Sequence, residues 1–225
     1  MLPPMDDASQ ALQDAIDDGD VAALGRLLAA DRALANRRDE GGLTPLMRVL
    51  MGIDRDPRMI EALLAAGADP NATTEDGETA LHLIVDVEGD GGFGDEPVQL
   101  ARPLVDAGAE LEARQAEGLT PLQFAVVHGT PDEVAALARL GARVDRCLPA
   151  DFDPAGFAGL TPLAAALGSS AKVEALLAAG ADAAQTDASG RTAVEHCHAR
   201  REAAEAAGDD DLARALGACA ELLAR

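Results

Sequence analysis

Leu63-Leu-Ala-Ala-Gly-Ala-Asp-Pro-Asn71, followed closely by Gly77-Glu-Thr-Ala-Leu-His82, decides the fold of this chain. The first half reads as the end of a helix, with Gly67 free to take the left-handed conformation that closes a last turn. The second half reads as a helix start, because a threonine hydroxyl such as that of Thr79 caps free backbone amides. Both halves recur. The closing phrase returns as Leu104-Val-Asp-Ala-Gly-Ala109, Leu137-Ala-Arg-Leu-Gly-Ala142 and Leu176-Leu-Ala-Ala-Gly-Ala181. The opening phrase returns as Gly42-Leu-Thr-Pro-Leu46, Gly118-Leu-Thr-Pro-Leu122, Gly159-Leu-Thr-Pro-Leu163 and Gly190-Arg-Thr-Ala-Val194. In three of these, Pro follows Thr, the position where its missing N–H costs nothing.

The two phrases alternate strictly, and the spacing between them is nearly constant. Twelve positions separate Gly67 from Thr79, Gly108 from Thr120 and Gly180 from Thr192, and twenty separate Gly141 from Thr161. A fixed hairpin-like turn joining successive helix pairs accounts for the repeated value. Each unit is therefore a helix beginning at Thr, a second helix ending at Gly, and a connection onward.

This pattern resembles the ankyrin repeat, whose signature of Gly-x-Thr-Pro-Leu-His and a later Leu-Leu-x-x-Gly-Ala-x-x-Asn stands here as Gly77 to His82 and Leu63 to Asn71. The resemblance covers nearly the whole chain. It implies an all-α solenoid of stacked helix-turn-helix units with β-hairpin-like connections, in one domain over 1–225. Six units are expected: an N-terminal capping repeat over about 7–38, carrying amphipathic stretches Ala11–Ile16 and Val21–Leu28; repeats over about 39–73, 74–114, 115–155 and 156–186; and a C-terminal cap over about 187–225. The family histidine survives at His82 alone, with Met47, Gln123, Ala164 and Glu195 in its place, and these losses are expected to weaken a loop-to-loop hydrogen bond. The resemblance further implies protein binding through a concave face.

Composition narrows the partner. The chain carries 40 Asp+Glu against 18 Lys+Arg, a formal net charge of −22. Such a surface repels phosphate backbones and anionic membranes, so nucleic acid and membrane are set aside as partners and a protein with a basic surface is favoured. A hydrophobic content of 48% is that of a globular chain rather than a disordered one. With four Phe and no Tyr or Trp, the core must be aliphatic. Cys147, Cys197 and Cys219 are an odd, widely spaced set rather than a disulfide framework. Met1 to Asp7 shows no basic and apolar leader pattern, and a monomer in a reducing cytoplasm is expected. Arginine-rich, lysine-poor usage with abundant Ala and Gly resembles a GC-rich bacterial coding sequence.

Departures from the ideal repeat carry the functional reading. Thr79 to Gly108 spans about eight residues more than Thr120 to Gly141, placing an insertion at Glu88–Pro97; the long connection places a second at Arg146–Phe157. Insertions in stacked repeats fall in exposed connections, often on the binding face. Phe93, Phe152 and Phe157 lie in these insertions, either folding back over the core or anchoring a partner. The hairpin-tip position between Gly and Thr holds Leu43, Leu119 and Leu160, with Glu78 in another copy; the apolar row suggests a recognition strip, and packing of tip against tip is the alternative. These residues, with Asp86 of the acidic loop, are the candidate partner-binding set.

Catalytic chemistry finds little support. Asp86, Glu88, Asp90 and Gly91 match the opening of a calcium loop, but its bidentate glutamate position holds Pro97. His196-Cys-His198 lacks a second ligand cluster, and adjacent helical side chains point about 100° apart. Glycines near residue 90 lack a following Gly-Lys-Ser/Thr, and Lys172 is the chain's one lysine. The expectation is a non-enzymatic binding module without cofactor or metal, acting as inhibitor or immunity protein of a toxin. An adaptor of a housekeeping enzyme and a secreted effector are the alternatives.

Overall fold

The computed structural model describes residues 7–52, 55–85, 96–152 and 156–224. Helices begin where threonine stands ready to cap them. Thr44 opens α3 (Pro45–Met51), Thr79 opens α5 (Ala80–Leu83), Thr120 opens α7 (Pro121–His128), Thr161 opens α9 (Pro162–Ala165) and Thr192 opens α11 (Ala193–Ala207). The hydroxyls of Thr44, Thr120, Thr161 and Thr192 accept from the amides of Met47, Gln123, Ala164 and Glu195 at 3.2–3.4 Å. The paired helices are α2 (Val21–Ala30), α4 (Pro57–Ala66), α6 (Glu96–Asp106), α8 (Pro131–Arg139), α10 (Ser170–Ala178) and α12 (Asp210–Leu223), with α1 (Asp7–Asp17) at the start. Gly67, Gly108, Gly141 and Gly180 take φ between 91° and 102°, the left-handed turn that the Leu-x-x-x-Gly phrase implies.

The chain divides into two compact units, one of Met1–Ile84 with Asp95–Gln115, the other of Val85–Gly94 with Ala116–Arg225. In the first, α1, α3 and α5 form one layer and α2, α4 and α6 the other, with neighbours packed along and across the layers. Leu24, Leu46, Leu50, Ile60, Leu63, Leu81, Leu100 and Leu104 fill the space between them. In the second unit, α7, α9 and α11 pack likewise against α8, α10 and α12, around Leu122, Val134, Leu137, Val173, Leu176 and Leu216. Both cores are mainly aliphatic, as the ring-poor composition requires.

Polar side chains tie the turns of each unit together, asparagine amides in the first and a carboxylate in the second. Asn36 Nδ2 donates to Gly67 O at 2.7 Å while its Oδ1 accepts from Asp69 N, and Asn71 repeats this with Gly108 O and Glu110 N. In the second unit Asp145 Oδ1 accepts from Asp182 N at 2.9 Å.

The connections are hairpins as expected. Backbone amides of Asp39, Thr74 and Asp187 donate to the carbonyls of Leu43, Glu78 and Arg191, four positions on, at 2.8–2.9 Å. Leu148 N makes the same closure with Leu160 O, twelve positions on, at 2.9 Å. The second insertion therefore grows out of a hairpin tip and leaves the hairpin's base unchanged. Of the first insertion, residues 88–95 lie outside the described residues, and Glu96 and Pro97 open α6.

Candidate binding surface

Three hairpin tips are built around a residue five positions before the capping threonine. Asp39 Oδ1 accepts from Gly41 N and Leu43 N, both at 2.9 Å, and Thr74 Oγ1 accepts from Glu78 N at 3.2 Å. Asp187 Oδ1 accepts from Ser189 N, Ser189 Oγ and Arg191 N at 2.8, 2.7 and 3.0 Å. Its second oxygen accepts from His196 Nε2 at 2.6 Å, fixing the tip to α11. Burial pushes the Asp187 carboxyl upward, but the bonds from Ser189, Arg191 and His196 outweigh it and hold the group well below the usual carboxylate range.

Ala164 has no side-chain group to make the family histidine's bond, but where Gln123 or Glu195 stands in place of histidine the tip does not loosen as expected. At that position Gln123 accepts from Thr120 N through Oε1, at 3.1 Å, and donates through Nε2 to Arg146 O and Cys147 O at 2.9 Å each. The amide supplies an acceptor and two donors, so it caps its helix and reaches the next connection at once. Glu195 Oε2 accepts from Thr192 N at 2.7 Å, and Met47 Sδ accepts weakly from Thr44 N. His82 Nδ1 performs this duty toward Thr79 N at 3.2 Å.

In the second unit an open groove of about 790 Å³ lies between the two hairpin tips and the helices behind them. Phe157 and Leu160 line one side, Asp187 and Arg191 the next tip, and His196, Ala199, Arg200 and Ala203 of α11 the wall. The groove exists because α9 ends at Ala165, one turn after it starts, while α11 continues to Ala207. Ala199 and Ala203, one turn apart, are exposed along that overhang.

The candidate residues divide. Phe157 and Leu160 are half-buried and share the groove. Leu43, also half-buried, lines a small crevice with Leu12 and Ile16 of α1 in the first unit, and Glu78 is half-buried at its own tip. Leu119 is 0% exposed and Phe152 3% exposed, so both leave the candidate partner-binding set and join the core. A leucine or phenylalanine able to turn inward does so, because burial is worth roughly 1.5–3 kcal/mol. Asp86 and Phe93 lie outside the described residues.

The histidine-cysteine cluster is absorbed by packing. Cys197 Sγ donates to Leu216 O at 3.1 Å, tying α11 to α12, and His198 is exposed. Burial pushes the Cys197 thiol up, with the neighbouring Cys219 adding to the shift. Lys172 is half-buried and donates to Val126 O at 2.9 Å; burial pushes its ammonium down, and Glu133 acts in the other direction. Among the described residues no group of three or more His, Cys, Asp or Glu is arranged to hold a metal ion, and no helix is long and apolar enough to cross a membrane.

The ankyrin-repeat family pattern matches residues 41–75. The ankyrin repeat domain of Bcl-3, a member of the IkappaB protein family, superposes with a TM-score of 0.68 over 96% of this chain and 87% of that one, at 27% identity. The chain is an ankyrin-repeat protein. A chain from the complex of a predatory endopeptidase of Bdellovibrio bacteriovorus with an immunity protein superposes with a TM-score of 0.61, covering 92% of this chain and 97% of that one at 25% identity. Inversin of Canis lupus familiaris is 36% identical over 135 residues, 60% of this ankyrin-repeat chain but 12% of inversin. The chain thus spans about an eighth of that curated relative's length. Ankyrin repeats are a protein-interaction scaffold, so a partner-binding surface is the feature to seek on this one.

Proposed function

We propose that this chain is a non-catalytic binding module that grips a folded protein with a basic surface, as the inhibitor or immunity protein of a toxin. The observation that carries the reading is the open groove in the second unit, where Phe157 and Leu160 stand half-buried beside the exposed alanines of α11. In its polar floor the Asp187 carboxylate already accepts four hydrogen bonds. The net charge of −22 would draw a basic partner from a distance. Likeness to a chain from a complex containing an immunity protein, over nearly the full length of both, favours the inhibitor role over the adaptor. A cytoplasmic monomer of bacterial origin belongs to the same proposal.

Affinity capture from a bacterial lysate at low and moderate salt tests this. A basic enzyme should bind, be released as salt rises, and lose activity in proportion to added chain. Replacing Phe157 and Leu160 with Ser should weaken its capture while helical circular dichroism persists. A neutral or acidic partner held through salt, with its activity untouched, refutes the inhibitor reading.

A further inference from the structure

The groove that supports the binding reading also has a charge of its own, opposite to that of the chain. Two guanidinium groups line it, those of Arg191 at the hairpin tip and Arg200 on α11, and both residues are exposed. Arg191 Nε donates to Ser189 Oγ at 3.2 Å, and one Arg200 nitrogen donates to Leu167 O at 3.0 Å. Both acceptors are neutral, and neither arginine has a carboxylate within 4.0 Å among the described residues. Each guanidinium therefore keeps most of its five N–H donors for another acceptor.

The negative groups nearby are committed. Among the described residues Asp187 is the one carboxylate lining the groove, and its four accepted bonds, one of them from His196, leave it turned into the tip. Glu195, in the first turn of α11, accepts from Thr192 N and Thr192 Oγ1 at 2.7 and 3.0 Å; these bonds lower its carboxyl pKa most, and the Arg191 charge adds to the fall without an ion-pair contact. In a chain with more than twice as many acidic as basic residues, two arginines with no ion-pair partner among the described residues, on one groove, are a local reversal of sign. Guanidinium recognises carboxylate through paired, charge-assisted hydrogen bonds, and a lysine or arginine brought here would meet like charge.

We propose that this groove receives an extended segment of the protein partner in which an acidic side chain neighbours an aliphatic one. The carboxylate engages Arg191 and Arg200, and the aliphatic side chain lies on Phe157, Leu160 and the Ala199–Ala203 stripe. The inference rests on the protein-binding reading and adds to it the chemistry of the docked segment.

A display library of random dodecapeptides, panned on the intact chain, tests the assignment. Enriched peptides should carry Asp or Glu beside Leu, Ile, Val or Met. Their affinity should fall about tenfold or more in the double variant Arg191→Gln, Arg200→Gln, through loss of the charge-assisted bonds. Ala203→Trp, which fills the groove from an exposed position, should abolish binding without touching either arginine. Arg48→Gln, in the first unit, should leave it unchanged. Far-UV circular dichroism and melting temperature establish that each variant is folded. Enrichment of Lys- or Arg-bearing peptides, acidic peptides indifferent to the groove variants, or no enrichment at all would each overturn the proposal. If lysate capture succeeds while the library fails, protein binding stands and the acidic-aliphatic assignment falls; if both fail, both fall.

Discussion

Replacing Asp187 with Ala should destabilise the C-terminal end of the second unit by about 3 kcal/mol. The figure follows from where its four hydrogen bonds go. His196 is buried, 7% exposed, and without the carboxylate its Nε2–H has no partner; a charged hydrogen bond lost at such a site costs about 1.5–3 kcal/mol. Ser189 and Arg191 are exposed, so water replaces the carboxylate at their amides and each costs only about 0.5 kcal/mol. Asp39→Ala is the internal control. It removes the same two turn bonds, but the ion pair it loses, with Arg48 at 3.4 Å, is partly solvated and worth about 0–1 kcal/mol. Urea denaturation followed by circular dichroism at pH 7 should therefore rank Asp187→Ala as the more damaging, by about 1–2 kcal/mol. Hydrogen exchange in Asp187→Ala should rise first in α11 and α12, since repeat arrays lose stability locally. The pH dependence has a defined sign. Because the Asp187 carboxyl is held below its usual range, its contribution is complete above the ordinary carboxylate pKa of about 3.9 and fades as pH falls below it. The stability gap between wild type and Asp187→Asn should accordingly hold above about pH 4 and narrow steadily as the pH is lowered further. Equal losses for the two alanine variants, or a gap that widens on acidification, would refute this account of the tip.

Gln123→Ala should cost about 1–2 kcal/mol in the same denaturation assay, and Gln123→His should recover part of it, because the imidazole restores one of the two functions of the amide. Leu119→Ser should cost about 3 kcal/mol or more, through lost burial and an added buried hydroxyl, whereas Leu43→Ser, half-buried, should cost about 1 kcal/mol. Phe152→Ser should lower the melting temperature, while Phe157→Ser should leave melting nearly unchanged and act on partner capture. Gly67→Ala, at φ 97° with open space around the added carbon, should cost about 1 kcal/mol from backbone strain alone, read as a shift in thermal midpoint.

Helix starts and stops were legible because they depend on residues adjacent in sequence. Thr before Pro and Gly after Leu-x-x-x act within one turn, and Thr120 and Gly141 do what their neighbours imply. The second insertion was legible for the same reason: Leu148 pairs with Leu160 and reproduces the spacing excess. Side-chain exposure at the tips was not. Leu43, Leu119 and Leu160 occupy equivalent sequence positions, yet Leu119 is buried and the other two are not, since exposure is set by what the rest of the fold places beside each tip. The Gln123 bridge was misread by treating histidine as the only group able to cap and reach. The Asp187–His196 pair had a signal that could have been used: Asp39 and Asp187 stand in the same register before their threonines, which marks Asp187 as a tip acceptor and leaves one oxygen for His196, nine positions on.

The acidic chain and the arginine-lined groove act at different distances, which makes them compatible in one binding event. Beyond about 10 Å in ordinary salt a partner experiences only the screened net field, and that field favours a basic surface. At contact the surrounding charges are replaced by the few groups in the groove, and there Arg191 and Arg200 select a carboxylate. Attraction at long range sets how fast partners meet, and the groove sets which segment stays. Salt should thus slow association while leaving dissociation nearly constant, whereas Arg191→Gln with Arg200→Gln should speed dissociation and leave the salt dependence of association in place. A partner attracted by charge alone would show no such division, because the two arginines oppose its approach, and their removal would then strengthen binding.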